Sequence, residues 1–226
     1  MKLPVPMKRT MPPHAGWALL AALAYQCLVF SGTRLFTAGW RHWHMATALD
    51  RAVPFLPWTV AVYVGAYFFW VANYVLAVRQ GEDRAWRFLA ADMLGKTVCL
   101  AAFLLLPTAK LRPAVPESAP LGGLLELIYL LDTPDNLFPS IHCLNSWLCW
   151  AGVRSCRDIP AGYRAFSLAA ALAVCLSTLT TGQHVLADVI GGLVLGELCW
   201  QIAGRTGLGA WYGRLWRGRK AVRDER

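Results

Sequence analysis

Apolar residues in this chain run in long blocks, and polar residues gather between them instead of alternating with them. A block of about 17–25 residues is what an α-helix needs to cross the hydrocarbon core of a bilayer. Six regions qualify: Gly16–Phe36, Trp58–Val78, Phe88–Leu106, Leu137–Val153, Ala165–Thr181 and Val185–Ile202. The fourth and sixth are interrupted by polar residues near their starts, which blurs them. No repeat of fixed period and no low-complexity linker divides the chain. The pattern predicts one all-α membrane domain over residues 1–226, a bundle of six transmembrane helices with a basic tail at 203–226. The stretch Trp17–Phe30 after Lys8 and Arg9 has the outline of a signal peptide, down to Ala22-Leu23-Ala24. A retained first span is preferred, because it gives a consistent even topology.

Composition agrees with the bilayer reading. Charged residues make up 15% of the chain, against roughly 25% in soluble domains. The net charge of +9 would suit nucleic acid, but the basic residues lie between the apolar blocks and at the ends, so no nucleic-acid partner is expected. Odd and even spans define two faces. The N-terminus, the 79–87 loop, the 154–164 loop and the tail share one face and hold sixteen of the 22 Lys and Arg; the opposite face holds Arg34, Arg41, Arg51, Lys110 and Arg112. The positive-inside rule puts the first face, with both termini, in the cytoplasm. A bacterial cytoplasmic membrane is the expected location. The seven cysteines are odd in number, form no CxxC pair and sit mostly in apolar segments, so they read as packing residues.

Two segments carry chemistry. Asp135-Asn-Leu-Phe-Pro-Ser-Ile-His142 opens the fourth span, and Ser177-Thr-Leu-Thr-Thr-Gly-Gln-His184-Val-Leu-Ala-Asp188 joins the fifth to the sixth. Both histidines fall on the extracytoplasmic face, where they can converge. His184 and Asp188 are four apart and share a helix face, so the carboxylate can fix the tautomer of the ring and support its charge. The fourth and sixth spans both start at this face and aim their positive ends at it. Ser140 and the Thr180-Thr181-Gly182 turn are candidate caps there, leaving backbone N–H groups for an anion such as phosphate.

These segments resemble the type 2 phosphatidic acid phosphatase superfamily, whose signatures are Lys-x6-Arg-Pro, Pro-Ser-Gly-His and Ser-Arg-x5-His-x3-Asp. Arg112-Pro113 looks like the end of the first, Pro139-Ser140-Ile141-His142 like the second, and Ser177-Thr178 through His184 to Asp188 like the third. The resemblance spans about residues 90–202. It implies His184 as a nucleophile that forms a phosphohistidine, Asp188 as its orienter and His142 as the acid for the leaving oxygen. Arg112 would bind phosphate, with Ser140, Lys110 and Gly182 beside it. No metal and no cofactor is implied.

The chain departs from the signatures at Leu105 (lysine in the family), Ile141 (glycine) and Thr178 (arginine). Two phosphate-binding cations are thereby lost. Inositol phosphorylceramide and sphingomyelin synthases are similar in lacking that arginine. A site with fewer cations suits a singly charged diester better than a monoester, with Lys110, Arg34 or Arg41 as possible replacements. The expected function is a lipid phosphatase or phosphotransferase. Its substrate would be a phospholipid or an isoprenoid or sphingolipid phosphate, and its acceptor water or an alcohol. The alternative is a catalytically impaired lipid-binding or transport protein. Headgroup, tail, acceptor and oligomeric state stay open.

Other polar residues read as structural. Asp92 and Lys96, four apart in the third span, form a self-neutralising pair. Asn145 and Ser146 share a turn with His142 and either bond it or pack helices. Glu197 has no evident partner. Arg41-His42-Trp43-His44 reads as an interfacial segment rather than a metal site, and Trp211–Arg226 as a surface helix on anionic lipid.

Overall fold

A computed structural model describes residues 11–221, with side chains as far as Arg217. Lys2, Lys8, Arg9 and the tail beyond residue 221, all counted in the charge bias, lie outside the described residues. The elements are α1 (Ala15–Cys27), continued through a π-helical turn (Leu28–Gly32) into α2 (Thr33–Thr37); α3 (Val60–Val78); α4 (Glu82–Leu105); α5 (Gly122–Leu131); α6 (Ile141–Val153); α7 (Ala161–Thr180); α8 (Leu186–Arg205); and α9 (Leu208–Ala221). There is no β-strand among the described residues.

Among the described residues five stretches are long and apolar enough to cross a membrane: Ala15–Thr37, Pro57–Val78, Glu82–Leu105, Ala161–Thr180 and Leu186–Arg205. Their outward faces carry Leu20, Leu23, Phe68, Val71, Leu176, Ile190, Val194 and Leu198, all exposed. That apolar belt would be untenable in water and is expected against lipid. The fourth predicted span is shorter than expected. It starts at Ile141, because Pro139 and the extended Ser140 end the preceding loop and the Ser140 hydroxyl accepts the Cys143 N–H as an N-cap. With 13 residues, ten of them buried, α6 extends only about 20 Å and is enclosed by α3, α4, α7 and α8.

Three more boundaries differ. α4 begins at Glu82 rather than Phe88, since Glu82 and Asp83 favour a helix N-terminus; Arg84 and Arg87 therefore sit on its first turns and not in a loop. α5 lies inside the predicted 107–136 loop. It is a ten-residue apolar helix, too short for the block criterion to register. The basic tail is also built in: α9 lies against the start of α4, where a Cβ at Gly213 would come within 2.7 Å of the Trp86 ring.

Several buried polar residues of the bundle are paired. Lys96 Nζ donates to Asp92 at 2.7 Å and to the Ala22 carbonyl at 3.3 Å. Tyr74 also donates to Asp92. Glu197 finds the partner its sequence context hid: Arg154 grips both its oxygens at 2.8 Å, and Trp147 donates to it at 2.9 Å. Asn145 and Ser146 do not bond His142. They contact Gln26 and Tyr74, and Trp70, respectively.

Candidate active site

Two helix starts meet at one end of the bundle. The N–H of Ser140 donates to the Asp188 carbonyl at 3.1 Å, tying the entry of α6 to the first turn of α8. Gly192 makes the approach possible, for a Cβ there would stand 2.5 Å from the Ser140 carbonyl oxygen. The chain reaches α8 from α7 by the turn at Gly182, whose φ of +69° suits glycine and whose Cβ would strike Pro113 at 2.7 Å. The Gly182 N–H goes to Leu179, and the N–H groups of Gln183 and His184 go to the Thr178 carbonyl. The turn amides expected to face an anion are thus already used, and the cap of α8 is Val185. At α6 the N–H groups of Ile141 and His142 precede any carbonyl acceptor within the helix.

His184 is buried, with its Nδ1 3.2 Å from a carboxylate oxygen of Asp188. A carboxylate only accepts, so Nδ1 carries a proton, and in the neutral ring Nε2 keeps its lone pair. In that form the Ser140 hydroxyl, 3.1 Å away, donates to Nε2. Burial alone would lower the His184 pKa; the hydrogen bond and charge of Asp188 outweigh it, and the net shift is upward. The same Asp188 oxygen accepts the Val185 N–H at 3.0 Å.

His142 faces His184 with ring centroids 6.1 Å apart. It stacks on Tyr63 at 4.4 Å, with Trp70 at 5.1 Å and the edge of Tyr67 at 6.2 Å. Its Nε2 is buried with no hydrogen-bond partner. The aromatic residues stand at 63, 67, 70 and 74, helical spacing on one face of α3, a stripe visible in the sequence but easily taken for packing. Tyr63 in turn donates to Asp132 at 2.7 Å.

The cations come from an extended segment held by short bridges, Trp43 to Thr108 and Ala109 to Asp135. Lys110 and Arg112 line separate cavities, each of which also reaches His184. Lys110 Nζ donates to the His184 carbonyl at 2.9 Å. Burial lowers its pKa, while Asp50 and Asp188 hold it up. Arg112 donates to the Tyr129 carbonyl at 3.0 Å, lies over the Tyr129 ring and leaves Nε unpartnered. Of the other proposed replacements, Arg34 is 3.2 Å from Asp135 and Arg41 lies over Trp43. Thr178, where the signature has arginine, is fully buried and donates to the Cys175 carbonyl.

Around the two histidines the walls are Phe30, Arg112, Asp132, Asn136, Leu137, Ile141 and Gln183. The enclosed free space is about 10 Å³, room for about one water, so a phosphate enters only as these side chains part. A second cavity reaches His184 from the side of Lys110, Asp50 and Phe55. Sequence reasoning missed Asp50, Asp132, Asn136 and Gln183. Asp50 caps the start of α8 from a distant loop, accepting the Leu186 N–H at 2.7 Å. Gln183 adjoins His184 in the motif and was the most findable. Among the described residues no group of His, Cys, Asp and Glu could hold a metal ion, and His44 instead contacts the Ala109 carbonyl.

Residues 108–208 match the family model described as the PAP2 superfamily. Comparison with curated proteins and with solved structures found no match.

Proposed function

The chain belongs to the PAP2 superfamily through its residues 108–208, and from that premise we propose a membrane-embedded phosphotransferase or phosphatase that works on lipid phosphate esters through His184. Membership supports phosphatase-type chemistry on phosphate esters. The apolar belt supports a membrane protein with a lipid substrate. The observation that carries the finer reading is the pair of imidazoles across 6.1 Å, one oriented by a buried carboxylate and one with an unpartnered ring nitrogen.

In this mechanism His184 Nε2 attacks phosphorus as the bond to the leaving oxygen breaks, and His142 gives its proton to that oxygen. Water or an alcohol then attacks the phosphorus–nitrogen bond and loses its proton to His142, and His184 returns to its resting state. In this reading Arg112, Lys110, the Ser140 hydroxyl and the first N–H groups of α6 bind the phosphate oxygens. Ser140 has to turn from Nε2 to the phosphate as substrate arrives, which uncovers the nucleophile. With Lys110 and Arg112 beside the histidines, Arg34 engaged by Asp135 and Thr178 in place of arginine, a singly charged diester is the preferred substrate. Both termini cytoplasmic, six passes with α6 as the short fourth, and an extracytoplasmic site complete the proposal.

The test is turnover of phosphatidic acid and phosphatidylglycerol by purified protein, with glycerol and water as competing acceptors. His184→Ala and His142→Ala should each lose essentially all product. A non-catalytic lipid-binding protein would retain the lipids and make none.

A further inference from the structure

Two side-chain amides at the site are unused by this mechanism. Gln183 is 2% exposed, and neither its Nε2 nor its Oε1 has a partner. Asn136, also 2% exposed, donates through Nδ2 to the Thr33 hydroxyl at 2.8 Å and to the Phe30 carbonyl at 3.4 Å. A carbonyl only accepts, so the orientation of this amide is fixed and its unpartnered atom is the acceptor Oδ1. Both residues line the cavity that holds His142, His184 and Arg112. Asp132 lines the same wall with its carboxylate.

A phosphate group presents acceptors, and Arg112, Lys110 and Ser140 already offer it donors. Acceptors aimed into the same space have the opposite requirement: they repel phosphate oxygens and remain costly until a ligand brings hydrogens to them. We infer that this cavity recognises a phosphodiester headgroup bearing O–H or N–H donors, with Gln183 and Asn136 as the residues that read it. The inference rests on the phosphotransfer reading above and narrows its substrate class. Gln183 is the more versatile reader, able to donate to a phosphate oxygen and accept from a headgroup hydroxyl at once. Asn136 through its free Oδ1, and Asp132 through its carboxylate, accept from a hydroxyl or ammonium.

The experiment uses the full-length protein in nanodiscs and four diesters with identical tails: phosphatidylglycerol, phosphatidylinositol, phosphatidylethanolamine and phosphatidylmethanol. The last has no headgroup donor. Consumption of each lipid gives kcat/KM, whichever ester bond breaks. At least one donor-bearing lipid should exceed phosphatidylmethanol by about tenfold or more, since a site built to bond a hydroxyl strongly rejects an analogue lacking it. Gln183→Met, similar in size but without amide atoms, should collapse that ratio towards one, whatever happens to absolute rates. Equal consumption of all four by the wild-type protein would overturn the inference, because the amides would then serve only a trapped water. A ratio unmoved in Gln183→Met would remove Gln183 from it. If phosphatidic acid and all four diesters stay intact, the phosphotransfer reading fails as well.

Discussion

His184 lies between a carboxylate and a hydroxyl, and that pairing sets how its reactivity depends on pH. The Asp188 contact raises its pKa above the ordinary 6.5, so more of the ring is protonated near neutrality than in a free histidine. A protonated Nε2 cannot attack phosphorus. Activity should therefore fall as pH drops through a value above 6.5, seen as the acid limb of kcat/KM in the free enzyme. Asp188→Asn removes the two largest raising interactions, so the same limb should move to lower pH while the maximal rate drops severely through loss of orientation. An acid limb that stays in place in Asp188→Asn would show that another group controls it. The cations are read separately. Arg112→Met and Lys110→Met should each cost about 10–100-fold in kcat/KM, the value of one charge-assisted hydrogen bond at roughly 1.5–3 kcal/mol. His184, Asp188 and His142, the proposed nucleophile, orienter and acid, stood out in the sequence because they sit four apart or beside a helix start, and the structure brings the three together. Asp132 and Asn136 were not, since their relevance depends on a loop folding back over the site.

Among the elements, α6 and α8 set the precision of the site. They approach closely at Gly192, where an added Cβ would meet the Ser140 carbonyl at 2.5 Å and the Cys143 side chain at 2.8 Å. Gly192→Ala should force the helix starts apart, lowering stability in detergent by about 1–3 kcal/mol. Turnover should fall as well, because the same displacement stretches the Ser140–His184 contact. A variant with unchanged melting and full activity would show that the crossing tolerates a methyl group. The long spans were readable from apolar block length alone. α6 was misjudged because a helix buried by protein on all sides needs neither the length nor the uninterrupted apolarity of one that faces lipid. Asn145 and Ser146 fit that setting, bonded to side chains of neighbouring helices. α5 escaped because ten apolar residues are too few for the block criterion; α9 was expected as a helix, but on lipid and not packed against the start of α4.

At the scale of the whole molecule, both catalytic candidates gather at one end with Lys110, Arg112, Arg34 and Asp50, while Arg84, Arg87, Arg154 and Arg217 crowd the other. That separation matches the charge bias of the sequence and gives the topology a direct test. On a cysteine-free background, Ser118→Cys in the loop before α5 should react with an impermeant reagent added to intact cells, and Arg157→Cys between α6 and α7 only after permeabilisation. The reverse pattern would put the site in the cytoplasm. The central claim, that the group passes through His184, is tested most directly by trapping the intermediate. Purified protein is mixed with a phosphorus-labelled lipid diester and denatured within milliseconds at alkaline pH, where a phosphorus–nitrogen bond survives. The account predicts label on the peptide containing His184 at a level that rises and decays with turnover, and none in His184→Ala. Steady turnover with no labelled histidine, or label that persists in His184→Ala, would contradict it.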